Sequence, residues 1–137
     1  NIAAFLELDL PGSKVVVGDG PQRAALQARH ARVHFAGWRH GEALAAAYRG
    51  ADVMVFPSRT DTFGLVLLEA MACGTPVAAY PVMGPRDVVG PGGVLDEDLR
   101  RACLAALDVP RGSARSHAEG FSWPACAAAF RERLVLL

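Results

Sequence analysis

The sequence predicts an α/β domain built on a parallel sheet, and three observations carry that expectation. Short apolar or β-branched runs alternate with longer, Ala-rich segments of helical period at about 20-residue spacing. Gly and Pro punctuate most junctions between them. The composition, 52% hydrophobic and 20% charged over 137 residues, suits a chain that buries one core, so residues 1–137 are expected to form a single domain.

Ile2, Phe5 and Leu6 set an i, i+3, i+4 apolar face, so the chain opens on a helix that Pro11-Gly12 ends. Opening on a helix, with no initiator Met and no strand before it, is expected of an interior piece of a longer chain. KVVVG (14–18) reads as a buried parallel strand. GDGP (18–21) leads into QRAALQARH (22–30), a helix with Pro21 suited to its first position. RVHFAG (32–37) is a second strand and GEALAAAYRGA (41–51) an Ala-rich helix. DVMVFPS (52–58) is a third strand, and FGLVLLEAMACG (63–74) a helix closed by Gly74 and Pro76. PVAAY (76–80) is a fourth strand, GPRDVVG (84–90) a short helical turn, and GGVL (92–95) a fifth strand. Helices over 96–107 and 122–137 complete the order, the last with Ser122 as N-cap. Residues 108–120, DVPRGSARSHAEG, read as the one linker-like stretch.

Charge and cysteine usage narrow the function. Lys+Arg and Asp+Glu are 14 each, so no net field draws nucleic acid or an anionic membrane. Cys73, Cys103 and Cys126 each fall in an apolar, Ala-rich segment and are expected to be buried, reduced thiols of a cytoplasmic protein. No apolar run approaches the roughly 18 residues that span a membrane, and no secretory leader pattern opens the chain. His30, His34, His40 and His117 lack metal-ligand spacing, so no metal site is expected.

In parallel sheets, ligands bind beyond the carboxyl ends of the strands. That rule selects the loops at 18–21, 37–41 and 57–64. The glycines of GDGP allow close backbone approach to a ligand at a helix start, but the third Gly of a dinucleotide fingerprint is replaced by Arg23, so a plain capping turn serves equally. The 63–74 helix is apolar on every face except for Glu69, and reads as buried all round. A carboxylate there needs a partner. Five residues beyond Gly64, at ~1.5 Å per residue, Glu69 could share a ligand with the backbone N–H groups of 63–65. The alternative is that it pairs with an Arg or points out at a helix edge. Asp61 and Glu69 suit either acid/base work or a grip on two parts of one long ligand.

The block PSRTDTFGLVLLEAMACGTPVAAYP (57–81) resembles the signature of retaining glycosyltransferases of family 4, in the GT-B superfamily. VVVGDGP, VHFAGW and YRGADVMVFPS upstream, and FSWPACAAAF downstream, are similar to the family's C-terminal domain in the same order. The resemblance implies a Rossmann-like, three-layer α/β/α domain with a parallel sheet, its first strand missing. It implies that Glu69 holds the ribose of a nucleotide-sugar donor and that Asp61 stands near the donor sugar as the catalytic acidic position. Ser58 belongs to the same block, and the backbone of Thr62, Phe63, Gly64 and Leu65 would meet sugar and diphosphate. Gly18 and Gly20 would shape the nucleotide pocket, and Trp38 and Arg39 would border the base. Transfer would retain anomeric configuration without a metal or other cofactor.

Two departures qualify the resemblance. The first acid is usually Glu, and here it is Asp61. The family's first strand carries an Arg and a Lys for the diphosphate, and neither that strand nor the N-terminal acceptor domain is in this sequence. The piece alone is therefore not expected to turn over. It would bind no nucleic acid, and any peripheral contact with the inner face of the membrane would come through the missing domain. A non-catalytic nucleotide- or sugar-binding module, or a GT-B sugar-nucleotide epimerase, is the alternative.

Overall fold

A computed structural model describes residues 1–134, and every predicted strand is present. In chain order the elements are α1 (Ile2–Leu6), β1 (Val15–Val17), α2 (Arg23–Arg29), β2 (His34–Gly37), α3 (Gly41–Gly50) and β3 (Met54–Phe56). There follow α4 (Leu65–Ala72), β4 (Val77–Ala79), α5 (Pro85–Val88), a 3-10 turn (Gly90–Gly92), β5 (Gly93–Leu95), α6 (Leu99–Ala106), α7 (Arg111–Glu119) and α8 (Trp123–Glu132). All strand pairs are parallel. Asp98 caps α6 by accepting from the Arg100 and Arg101 amides, and Ser122 caps α8 from the Ala125 amide, as its position predicts. The predicted end of the last helix, 135–137, lies outside the described residues.

The strands form two ladders, β1-β2 and β3-β4-β5. The centre is β4, whose Val77, Ala78 and Ala79 are fully buried. Leu67, Ala70 and Met71 of α4 pack one face of this ladder together with Ala114 and Ala118 of α7. Leu99, Ala102, Cys103 and Ala106 of α6 pack with Ala78 and Tyr80 in a second cluster. Helices thus cover both faces of the ladder, the three-layer arrangement expected. Fully burying each Val, Leu or Met side chain here stabilises the fold by roughly 1.5–3 kcal/mol.

Between β1 and β3 lies a cleft of about 640 Å³, lined by Val15, Val17, Val53, Val55, Phe5 and Leu104 among others. It explains why β1 is not the buried strand its KVVVG run predicts: Val15 and Val17 are 49% and 37% exposed. The two ladders are joined instead through a third cluster, in which Phe5 and Leu6 of α1 meet Phe35, Val16 and Val55. At one end of the polypeptide, the Asn1 side-chain amide donates to the Pro57 carbonyl, 2.9 Å away, just past β3.

Three further expectations are corrected. Residues 108–120 contain α7, a core helix rather than a linker: its small Ala114 and Ala118 let it lie close on α4 and the 3-10 turn. The α4 helix is not buried all round, since Leu65, Val66 and Glu69 are exposed along one edge while Leu67, Ala70 and Met71 face inward. Of the cysteines, all free, only Cys103 is buried; Cys73 is half-buried and Cys126 exposed on α8.

Gly93 supplies a test of the ladder. It pairs with Val77, and a Cβ there would fall on the Val77 carbonyl oxygen, whereas a Cβ on Gly112 in α7 meets nothing within 4 Å. Gly93→Ala is expected to lower stability to urea by about 1–3 kcal/mol, the usual cost of overpacking. Gly112→Ala should be neutral or stabilising by up to about 1 kcal/mol. Equal midpoints for the two variants would contradict the register.

Candidate functional site

The loop from Pro57 to Gly64 is shaped by its own side chains. Asp61 turns back on itself, its Oδ1 accepting from the Phe63 amide at 2.9 Å, and the Ser58 hydroxyl accepts more weakly from the Thr60 amide at 3.4 Å. Gly64 then takes a left-handed conformation, φ 81°, as the residue before α4. A Cβ at Gly64 would stand 2.7 Å from Leu67 Cδ1, so both backbone and packing require glycine here. Among the described residues, no side chain caps the start of α4. The result is a helix start without a side-chain cap, beside a carboxylate and an exposed Phe63.

The next loop buttresses this one. Gly84, φ 83°, packs on it so closely that a Cβ would lie 3.2 Å from the Phe63 amide nitrogen and 3.3 Å from the Asp61 carbonyl oxygen. Arg59 stacks its guanidinium 3.7 Å over the Tyr80 ring and reaches Glu97 at 3.5 Å. The loops after β3, β4 and β5 are therefore tied together at one edge of the ladder.

Glu69 sits one turn into α4, exposed, and its partner is neither an Arg nor a buried group. The Tyr48 hydroxyl donates to Glu69 Oε2 at 3.2 Å. Burial and the adjoining Glu69 carboxylate push the Tyr48 phenol from 10.0 up to about 12. Since the folded value is raised, the proton contributes stability that is fully present below about pH 10 and lost as pH rises through about 12.

The remaining predicted residues gather on the other ladder. The Gly18 amide donates to the Gly37 carbonyl at 2.9 Å, which brings GDGP against the loop carrying Trp38 and Arg39. Asp19 accepts from the Gly20 amide at 2.8 Å and from Arg23 at 2.6 Å; these bonds, the backbone one first, hold its carboxyl below its ordinary range. Arg23 also donates to the Phe35 carbonyl at 3.3 Å and lies beneath Gly37, so the residue that breaks the dinucleotide fingerprint bridges the two loops. The Gly18 and Gly20 positions have open space around them. Trp38, 64% exposed, stacks on His40 with centroids 6.0 Å apart, and Arg39 donates to the Trp38 carbonyl at 3.0 Å.

The structure thus brings Asp61, Phe63 and Gly64 together, places Glu69 and Leu65 on the exposed edge of the helix they begin, and collects Gly18, Gly20, Trp38 and Arg39 on the neighbouring ladder. Thr62 is exposed beside Asp61. None of these residues lines the 640 Å³ cleft between the ladders. Sequence reasoning missed Gly84, Tyr48 and Arg23. The Gly in VMGP after a strand was a legible signal for the first, but the other two are pairings across the fold. Among the described residues, no group of three or more His, Cys, Asp or Glu side chains gathers as a metal site, and no helix is long and apolar enough to cross a membrane.

Residues 9–114 match the family model for glycosyl transferases group 1. Over 94 residues the chain is 49% identical to a D-inositol 3-phosphate glycosyltransferase of Geodermatophilus obscurus, covering 61% of this chain and 21% of that one. It is 47% identical over 95 residues to a GDP-mannose-dependent alpha-mannosyltransferase of Mycolicibacterium smegmatis, covering 67% of this chain and 25% of that one. The chain thus spans about a fifth to a quarter of the length of these relatives. The solved sucrose-phosphate synthase of Thermosynechococcus elongatus superposes with a TM-score of 0.73 at 30% identity, covering 96% of this chain and 39% of that one.

Two outcomes test the site's geometry. In Tyr80→Phe, where Tyr48 is the remaining tyrosine, phenolate absorbance is expected to appear well above the ordinary tyrosine range, and adding Glu69→Gln should bring it partway back, since the burial of the ring remains. An unchanged titration on adding Glu69→Gln, in protein still folded by circular dichroism, would contradict the Tyr48–Glu69 contact. Separately, Gly84→Ala is expected to move the Asp61 and Phe63 amide resonances while leaving those of β1 and β2 in place. Unmoved Asp61 and Phe63 signals would contradict the buttress.

Proposed function

Because this chain belongs to the glycosyl transferases group 1 family, we propose that it is the donor-binding half of a retaining glycosyltransferase. In this reading the whole protein moves a sugar from a nucleoside diphosphate to an acceptor held by a separate N-terminal domain. The observation that carries it is the arrangement on α4: a left-handed Gly64, a helix start with no side-chain cap among the described residues, Asp61 folded beside it, and Glu69 one turn along on the exposed edge of the same helix. Helix-start N–H groups favour an anionic diphosphate. Glu69, an acceptor with two oxygens, suits the ribose hydroxyls, and Asp61 suits hydroxyls of the transferred sugar. Gly18 and Gly20 leave room for the nucleotide, and Trp38, Arg39 and the Trp38–His40 stack offer a flat border for its base.

The relatives' names fit this chemistry. One is named a GDP-mannose-dependent alpha-mannosyltransferase and the other a D-inositol 3-phosphate glycosyltransferase, so a nucleotide-sugar donor and a transfer reaction are favoured over epimerisation or binding alone. Retention would follow if the departing diphosphate, on the same face as the acceptor, helps remove the acceptor's proton. The reading calls for no metal, and it places the enzyme in the cytoplasm, at the inner face of the membrane where the acceptor is a lipid. The cleft between β1 and β3 fits the family's first strand of this domain: both flanking strands run parallel in their ladders, the lining is apolar, and Asn1 stands beside Pro57 past the end of β3.

Calorimetric titration with UDP, GDP and ADP tests the reading. One of them is expected to bind the chain with millimolar to high-micromolar affinity, and Glu69→Ala should weaken that binding at least about tenfold, the scale of hydrogen bonds to a charged group. Equal binding by wild type and variant would remove Glu69 from the site, and no binding of any of the three would remove the site.

A further inference from the structure

The hydrogen bond from Tyr48 to Glu69 is the visible end of a longer chain of contacts. Tyr48 lies in the last turn of α3, where the final carbonyls of a helix lack partners along the helix itself. Here the Ala51 amide at the C-cap reaches the Tyr48 carbonyl at 3.0 Å, and further donors come from outside the helix. The hydroxyl of Thr75, itself fully buried, donates to the Tyr48 carbonyl. Arg111, the first residue of α7, donates to the Arg49 carbonyl at 2.7 Å and to the Ala51 carbonyl at 2.8 Å, and reaches Thr75 Oγ1 at 3.4 Å. The end of α3 is thereby fixed to α7 and to the turn between α4 and β4. From that fixed frame the Tyr48 hydroxyl projects to Glu69 in the candidate site.

Glu69 needs such a contact. It is exposed on α4, makes no ion pair among the described residues, and has three side-chain torsions that would otherwise be free. Tyr48 occupies one carboxylate oxygen, Oε2. The second oxygen and the remaining lone pairs are left to accept from a vicinal diol. We propose that Tyr48, anchored by Thr75 and Arg111, is a positioning residue that presents Glu69 to the ribose hydroxyls of the nucleotide. This rests on the reading of Glu69 as the ribose carboxylate. It gives α7 a part in the site: through Arg111 the helix sets the place of Tyr48, and Tyr48 sets the place of the carboxylate.

The test compares each of UDP, GDP and ADP with its 2′,3′-dideoxy analogue, by calorimetry on the whole chain. The wild type is expected to prefer the hydroxylated nucleotide. Glu69→Gln should remove most of that preference. Tyr48→Phe, which keeps the ring and loses the hydroxyl, should reduce the preference about five- to tenfold. Binding of the dideoxy analogue and the melting temperature should stay near wild type. Arg111→Gln should reduce the preference partway, again without weakening the dideoxy analogue; this second variant also decides the matter if Tyr48→Phe does not fold. A purely structural role would weaken both nucleotides together or lower the melting temperature alone. Undiminished preference in Tyr48→Phe, with Glu69→Gln losing it, would overturn the inference while leaving Glu69 in place. Undiminished preference in Glu69→Gln, or no nucleotide binding at all, would overturn the reading beneath it.

Discussion

The structure depends on the complete burial of β4. Val77, Ala78 and Ala79 have helices on both faces and a parallel strand on each side, so neither the strand nor its neighbours can shift without opening the core. Each loop on the β3-β4-β5 ladder that enters the candidate site is an extension of this frame. The loop after β3 begins where Met54, Val55 and Phe56 pair with β4, and the loop after β4 carries the Gly84 that packs under it. The α4 helix enters the same core through Leu67, Ala70 and Met71. Its inward face is therefore fixed, and its outward edge presents Leu65 and Glu69 in a set direction.

This division of α4 into two faces explains why a carboxylate is tolerated in so apolar a segment. The segment GLVLLEAMACG has no helical polarity pattern strong enough to reveal an exposed edge, because Leu65 and Val66 are themselves exposed. Glu69 consequently escapes the desolvation that a buried charge would suffer. An exposed carboxylate is cheap to keep but poorly oriented, and the Tyr48 hydroxyl addresses that second problem. The support is indirect, from Arg111 through the carbonyls of α3, and it joins residues far apart in sequence.

Much of the fold was legible because local signals agreed. β-branched runs, Gly and Pro at the junctions and regular spacing located all five strands. What escaped was tertiary. Residues 108–120 look like a linker because Gly112, Ser113, Ser116 and Pro110 weaken the helical signal, yet Ala114 and Ala118 bring α7 close on α4. KVVVG looks like a central strand because its burial was expected from its composition, but its outer edge faces a cleft. In the site, Asp61, Gly64 and Glu69 were legible as a block, since their spacing in one segment carries the family resemblance. Tyr48, Gly84 and Arg23 were not, because each acts on a partner from another element.

The central claim is that a nucleoside diphosphate binds at the start of α4, beyond the end of β3, and not in the cleft between the ladders. Amide chemical-shift mapping of the chain with GDP or UDP tests it most directly. The account predicts that the largest shifts fall on Phe63, Gly64 and Leu65 and on the residues around Glu69, with smaller ones at Gly18 to Gly20 and Trp38. Shifts centred on Val15, Val17, Val53 and Val55, with those of Phe63 to Leu65 unmoved, would contradict it.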